Sequence, residues 1–285
     1  ANAFVQVTYF GGNAIAFVET NGWSNATITY TYDDARCLSG YKIDGCTGLP
    51  LSGWKIIVNN STQEWNDTTD TNGFWQICQL ENDTYTVCET LQPGWTQTSL
   101  PVCHTATLAG INITNLNFTN QKLYCISGYK LDNCIGAPLQ GWNITLRNST
   151  HNVSQLTGPD GKYQFCNLKP GDYTLTEEVR PGYLAIKVVS NPVRLNCSNV
   201  TNQNFSNQKL YCISGFKLDD CNKTGIAGWG VTINNSTFST SAITGAGGKY
   251  EFCRLAPGVY TLTEETKTGY ISKSPVKITA TLPCT

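Results

Sequence analysis

The sequence predicts an all-β chain: three tandem β-sandwich domains led by a short strand-forming extension. Three observations predict it: a long internal repeat, period-two alternation of apolar residues, and cysteines held in register. The repeat is plain to read, since Tyr124-Cys-Ile-Ser-Gly-Tyr-Lys-Leu-Asp132 returns as Tyr211-Cys-Ile-Ser-Gly-Phe-Lys-Leu-Asp219 and is echoed by Cys37-Leu-Ser-Gly-Tyr-Lys-Ile-Asp44. Its starts at Cys37, Cys125 and Cys212 lie 88 and 87 residues apart, too long for a solenoid unit and right for a small domain. The expected boundaries are an extension at 1–36 and repeats at 37–124, 125–211 and 212–285.

Within a repeat the apolar residues alternate. Trp142-Asn-Ile144-Thr-Leu146, Tyr163-Gln-Phe165 and Tyr173-Thr-Leu175 each turn one face inward. Asp70-Thr-Asn-Gly73, Pro159-Asp-Gly161 and Pro170-Gly171 punctuate them as turns. About seven short strands in each repeat make a sandwich whose core is small, so disulfides contributing roughly 2–4 kcal/mol each suit it.

Thirteen cysteines, none in a Cys-x-x-Cys arrangement, argue for disulfides and an oxidising, extracellular compartment. Cys37, Cys46 and Cys78 recur as Cys125, Cys134 and Cys166 and as Cys212, Cys221 and Cys253, while Cys103, Cys197 and Cys284 close the sets. Four cysteines allow three connectivities, and the pairing expected is the second with the third. Cys88 is the odd cysteine, standing where the other copies have Thr176 and Thr263. Pairing it with Cys103 across neighbouring strands would free Cys37; a buried or unpaired thiol is the alternative.

Only 14% of residues are charged and the net charge is −1, against roughly 25% charged in ordinary domains. No basic patch addresses nucleic acid, and no apolar run spans a bilayer. Ala1-Asn2-Ala3-Phe4 suits the mature end left by a signal peptidase. Sequons at Asn25, Asn60, Asn66, Asn82, Asn112, Asn143, Asn148, Asn152, Asn199, Asn222 and Asn235 are candidates for N-linked glycans on a secreted, cell-surface protein.

Lys130-x-Asp132, Gly136-x-Pro-Leu-x-Gly-Trp142, Phe165-x-x-Leu168-x-Pro-Gly-x-Tyr173-x-Leu-x-Glu177 and Pro181-Gly-Tyr183 resemble the B-type repeat domain of collagen adhesins and Gram-positive pilins. The sequence is equally similar to the serine-aspartate repeat B-type modules found in surface proteins, including those of methanogenic archaea. The resemblance covers about residues 37–285 and implies immunoglobulin-like or transthyretin-like sandwiches serving as stalk, spacer or fibre, with no enzymatic substrate. In the pilin branch a first-strand lysine bonds to a closing-strand asparagine while a buried acid moves the proton. The matching positions are Lys42, Glu89 and Asn120 in the first repeat, Lys130, Glu177 and Asn207 in the second, and Lys217 and Glu264 in the third. Because disulfides already staple these domains, an ordinary surface lysine is the reading preferred over the bond.

Other chemistry is weakly signalled. His104 and His151 have no partner at ligand or triad spacing, and Asp132, Asp219 and Asp220 do not build the alternating ladder of a calcium loop, so no metal or cofactor is expected. Trp54, Trp142 and Trp229 share one repeated strand position and belong to a core rather than a sugar platform.

After their last cysteines the first two repeats continue into Asn112–Asn120 and Asn199–Asn207, each a closing strand, whereas the third has only Thr285 after Cys284. The extension supplies the counterpart: Asn25–Asp33 falls at the closing-strand place, with Ile28, Tyr30 and Tyr32 as its inward residues, and Phe4–Phe10 is a second β-rich run. The expected function is an extracellular filament subunit, polymerised with itself head-to-tail by donation of this strand to the next third repeat. The alternative is a stalk region of a longer surface adhesin.

Overall fold

The computed structural model describes residues 17–21, 25–29 and 36–284, in which the regular structure is strand apart from three residues of 3-10 helix at Ala246–Gly248. In the leading segment β1 (Phe17–Asn21) and β2 (Asn25–Thr29) pair as an antiparallel hairpin with Val18 opposite Ile28. Tyr30, Tyr32 and the Phe4–Phe10 run lie outside the described residues. The chain divides into two compact units, residues 1–122 and 123–285.

The first unit carries the first repeat. Its strands are β3 (Arg36–Asp44), β4 (Lys55–Asn59), β5 (Glu64–Thr68), β6 (Phe74–Leu80), β7 (Thr84–Glu89), β8 (Trp95–Gln97), β9 (His104–Thr107) and β10 (Phe118–Lys122). They form two four-stranded sheets, β6-β3-β10-β8 and β5-β4-β7-β9. Leu38, Trp75 and Phe118 from one sheet and Val58, Tyr85 and Val87 from the other share one buried cluster, as period-two alternation requires. Eight strands appear where seven were expected; β8, three residues long, is too short to show alternation and pairs with the closing strand β10.

The second unit repeats the pattern with β11 (Tyr124–Asp132), β12 (Asn143–Arg147), β13 (Asn152–Leu156), β14 (Lys162–Leu168), β15 (Gly171–Glu177), β16 (Tyr183–Lys187), β17 (Val193–Leu195) and β18 (Phe205–Lys209). Their sheets are β14-β11-β18-β16 and β13-β12-β15-β17. The third repeat follows as β19 (Tyr211–Phe216), β20 (Gly230–Asn234), β21 (Ser239–Ile243), β22 (Lys249–Leu255), β23 (Gly258–Glu264) and β24 (Lys277–Leu282). One of its sheets is complete, β21-β20-β23-β24. Among the described residues the other consists of the pair β19-β22.

Trp54, Trp142 and Trp229 are buried, each with its backbone N–H held by a threonine hydroxyl, Thr69, Thr157 or Thr244. Asp44, Asp132 and Asp219 cap the turn after the first strand of each repeat, accepting from the N–H groups of Cys46, Cys134 and Cys221.

The disulfides differ from the expected pairing. The first cysteine of each repeat bonds the third, in Cys37–Cys78, Cys125–Cys166 and Cys212–Cys253, with Cα atoms 4.0, 4.1 and 4.0 Å apart. Strand register decides this: β3 and β6 are antiparallel neighbours with an irregularity between Arg36 and Leu38 that sets Cys37 beside Cys78. Cys37 is therefore not freed by the Cys88–Cys103 bond that joins β7 to β9. Nor is Cys103 the counterpart of Cys197 and Cys284, since it precedes β9 while they follow β17 and β24. Cys134 bonds Cys284, and Cys46 and Cys197 are also disulfide-bonded. Among the described residues the odd cysteine is Cys221, an exposed free thiol, and not Cys88.

Candidate strand-acceptor groove and buried triads

Alternation along the first strand of a repeat sends its lysine inward, against the preference for a surface lysine. Lys42 and Lys130 are fully buried. Lys42 Nζ lies 2.6 Å from Glu89 Oε2 and 4.4 Å from the Trp54 ring centre; Lys130 Nζ lies 2.8 Å from Glu177 Oε2 and 4.4 Å from that of Trp142. The closing strand supplies the third member. β10 runs parallel to β3 with Phe118 opposite Lys42 and Asn120 opposite Asp44, and β18 sets Phe205 opposite Lys130 and Asn207 opposite Asp132. Residues two apart share a face, so each asparagine is a diagonal neighbour of the lysine, within reach of its long side chain.

Both asparagines are buried, and neither side-chain polar atom of Asn120 has a hydrogen-bond partner, nor has Asn207 Oδ1. Orphaned buried amides are costly and rare. Burial pushes the Lys42 and Lys130 amines below their usual range, opposed by attraction to Glu89 and Glu177. It pushes the Glu177 carboxyl up, opposed by Lys130 and by a hydrogen bond from Asn207. Both shifts favour a neutral amine beside a protonated acid. A neutral amine is a nucleophile, the amide carbon its electrophile, and the acid a proton carrier between them. Attack would form a new C–N bond and release the side-chain nitrogen as ammonia.

The third repeat holds the same pair, with no closing-strand asparagine beside it among the described residues. Lys217 Nζ is 2.8 Å from Glu264 Oε2 and 4.6 Å from the Trp229 ring centre, yet each side chain is 16% exposed. They line an open groove of about 580 Å3, together with Tyr250, Ile278 and Cys221. The edge of β19 that corresponds to the β11 edge paired with β18 has no strand partner among the described residues. Consequently Ile213 and Tyr250 are half-buried, where Ile126 and Tyr163 are closed over. Unpaired backbone groups beside an uncovered core invite another strand.

Several docking residues escaped the sequence reading. Asn112 and Asn199 accept from the N–H groups of Cys37 and Cys125, and Asn117 and Asn204 accept from those of Tyr41 and Tyr129, fastening the segment ahead of each closing strand. Gly128 lets the Gln203 carbonyl approach so closely that a Cβ would collide with it, and the Tyr163 hydroxyl donates to that carbonyl. Their signal was the repetition of these asparagines and glycines in frame. Of the candidate sequons, Asn66, Asn82, Asn112, Asn152, Asn199 and Asn222 are exposed, while Asn60, Asn143, Asn148 and Asn235 are half-buried. Asn25 lies on β2.

Residues 125–209 match the SpaA prealbumin-like fold domain. The chain is 27% identical over 259 aligned positions, covering 75% of its length, to serine-aspartate repeat-containing protein D of Staphylococcus aureus, and 27% identical over 319 aligned positions, covering 93%, to serine-aspartate repeat-containing protein F of Staphylococcus epidermidis. It spans about one fifth of the length of these curated relatives, 20% and 18%. Among solved structures it resembles the Bacillus anthracis TIE protein, with 19% identity and TM-score 0.40, covering 95% of this chain and 56% of that one. It also resembles BcpA, the major pilin subunit of Bacillus cereus, with 12% identity and TM-score 0.43, covering 87% and 96%. The family match over the second repeat and the serine-aspartate repeat relatives agree with the resemblance read from the sequence.

Proposed function

We propose that this chain is a non-enzymatic structural segment of an extracellular surface fibre or stalk, whose third repeat is completed by a strand from another module. The observation that carries this reading is the unpaired β19 edge beside the open Lys217–Glu264 groove, at the place where β10 and β18 close the other two repeats. In the first two repeats the triads mature into Lys42–Asn120 and Lys130–Asn207 amide crosslinks, which fix the closing strand against extension. N-linked glycans cover the surface that charge does not.

The donor suggested by the sequence is residues 25–33 of a second copy, making a head-to-tail homopolymer in which β2 exchanges its pairing with β1 for pairing with β19. A second reading takes the donor from a further repeat of a longer surface protein, and the far greater length of the curated relatives favours it. Electron microscopy of the purified chain with and without residues 1–36 separates the two. Filaments that disappear on deletion support the homopolymer; a monomer in both cases supports the stalk; exchange protection of the Ser214 and Phe216 amides, which face away from β22, in the lone, monomeric chain would overturn the acceptor site itself.

A further inference from the structure

The turn after the first strand carries a cysteine in all three repeats, its N–H held by the capping aspartate at 2.8, 2.7 and 2.9 Å for Cys46, Cys134 and Cys221. Cys46 and Cys134 are disulfide-bonded. Cys134 takes Cys284, a residue of the repeat that follows its own, two positions beyond the end of β24, with Cα atoms 5.5 Å apart. In the second repeat the turn thus serves as a clamp for the next module. Cys221 occupies the same turn, is exposed, and lies on the wall of the groove beside the unpaired β19 edge.

A second feature points to the same ligand. In the first two repeats the closing strand passes into the next module almost without a linker, with one residue between β10 and β11 and one between β18 and β19. Whatever strand fills the third groove therefore delivers a module next to Cys221. We propose that Cys221 is a junction thiol that forms a disulfide with the cysteine lying just past the last outer strand of that incoming module, the place held by Cys197 and Cys284. This inference rests on the strand-acceptor reading and narrows the donor. The first repeat has Leu108-Ala109-Gly110 at that place, and its Cys103 is at the other end of β9, bonded to Cys88. The partner is a module of the second- or third-repeat type.

The bond forms by two exchanges with a small-molecule disulfide as oxidant. Cys221 thiolate attacks that disulfide and releases one thiol; the incoming cysteine thiolate attacks the Cys221 sulfur and releases the second, so two electrons and two protons leave with the reduced oxidant.

The test extends the full chain after Thr285 by a copy of residues 199–285, which supplies a closing strand and a third-type module, and refolds it in a glutathione redox buffer. Non-reducing peptide mapping is expected to link Cys221 to the appended copy of Cys284, and Cys221→Ser is expected to leave that copy alkylatable while β19 still gains exchange protection. Cys221 that remains alkylatable although β19 is protected and Cys134–Cys284 has formed would overturn the junction alone. An unprotected β19 would overturn the acceptor site and the junction with it. In native material, a Cys221 peptide crosslinked to a module of the same or another polypeptide supports the proposal and identifies the source; quantitative recovery as a free thiol overturns it.

Discussion

Lys217 and Glu264 meet at 2.8 Å, the same distance as Lys130 and Glu177, but both members of the first pair are 16% exposed whereas Lys130 is fully buried and Glu177 is 8% exposed. The closing strand makes that difference. It converts an ion pair that could be solvated into one whose desolvation is costly.

Lys42→Ala should therefore be far more damaging than Lys217→Ala. Lys42→Ala removes both the proposed crosslink and the partner of Glu89, which is 1% exposed, and leaving a buried ionisable group unpartnered costs about 3–5 kcal/mol. Urea denaturation of the single variants is expected to show the larger midpoint shift for Lys42→Ala, with Lys217→Ala closer to the parent.

Intact-mass measurement should find the chain lighter than its sequence, after allowance for disulfides and glycans, by one ammonia for each of the first two repeats. Glu177→Gln keeps the shape but removes the proton carrier, and Lys130→Ala removes the nucleophile; each is expected to restore one ammonia. An unshifted parent mass would refute the crosslinks.

Asn207→Ala keeps the Lys130–Glu177 pair uncrosslinked, so its burial should appear as a pH dependence. The folded amine has its pKa lowered from 10.5, so the folding penalty on its charged form is full below the folded value and lifts as pH rises from that value to 10.5. Glu177 is raised from 4.5, so its contribution is full below 4.5 and is lost as pH rises through the folded value. Stability of this variant should fall on leaving acid and recover on the alkaline side. The alkaline recovery due to this group should be absent in the crosslinked parent, whose Lys130 is an amide and no longer titrates.

Gly128→Ala and Gly215→Ala should separate strand docking from domain folding. At Gly128 the added methyl meets the backbone carbonyl of Gln203, which cannot move without lifting the closing segment; at Gly215 it meets only the Tyr250 side chain, which can swing aside. Amide exchange is expected to rise in β18 for Gly128→Ala, with loss of the second crosslink. Gly215→Ala should leave the lone chain folded and impair strand acceptance.

Much of this architecture was legible because the sequence repeats itself. Period-two alternation fixes which face is inward whatever the neighbours are, so the strands and the core tryptophans could be read from their spacing, while the membership of Lys130, Glu177 and Asn207 in one set came from the resemblance to pilin domains. The short strands β8 and β16 and the asparagines that fasten the closing segment could not, because their roles are defined by a partner about 75 residues away in the asparagine cases.

By itself the sequence determined the all-β class and the three-fold repeat, since these follow from local periodicity and internal comparison. Only the tertiary structure decided that the lysines are buried, that first cysteines bond third, and that Cys221 is the thiol left over. Burial and disulfide partners depend on which strands lie side by side and in what register, and residues 41 or 150 positions apart, as in Cys125–Cys166 and Cys134–Cys284, become neighbours through pairing that no local pattern encodes.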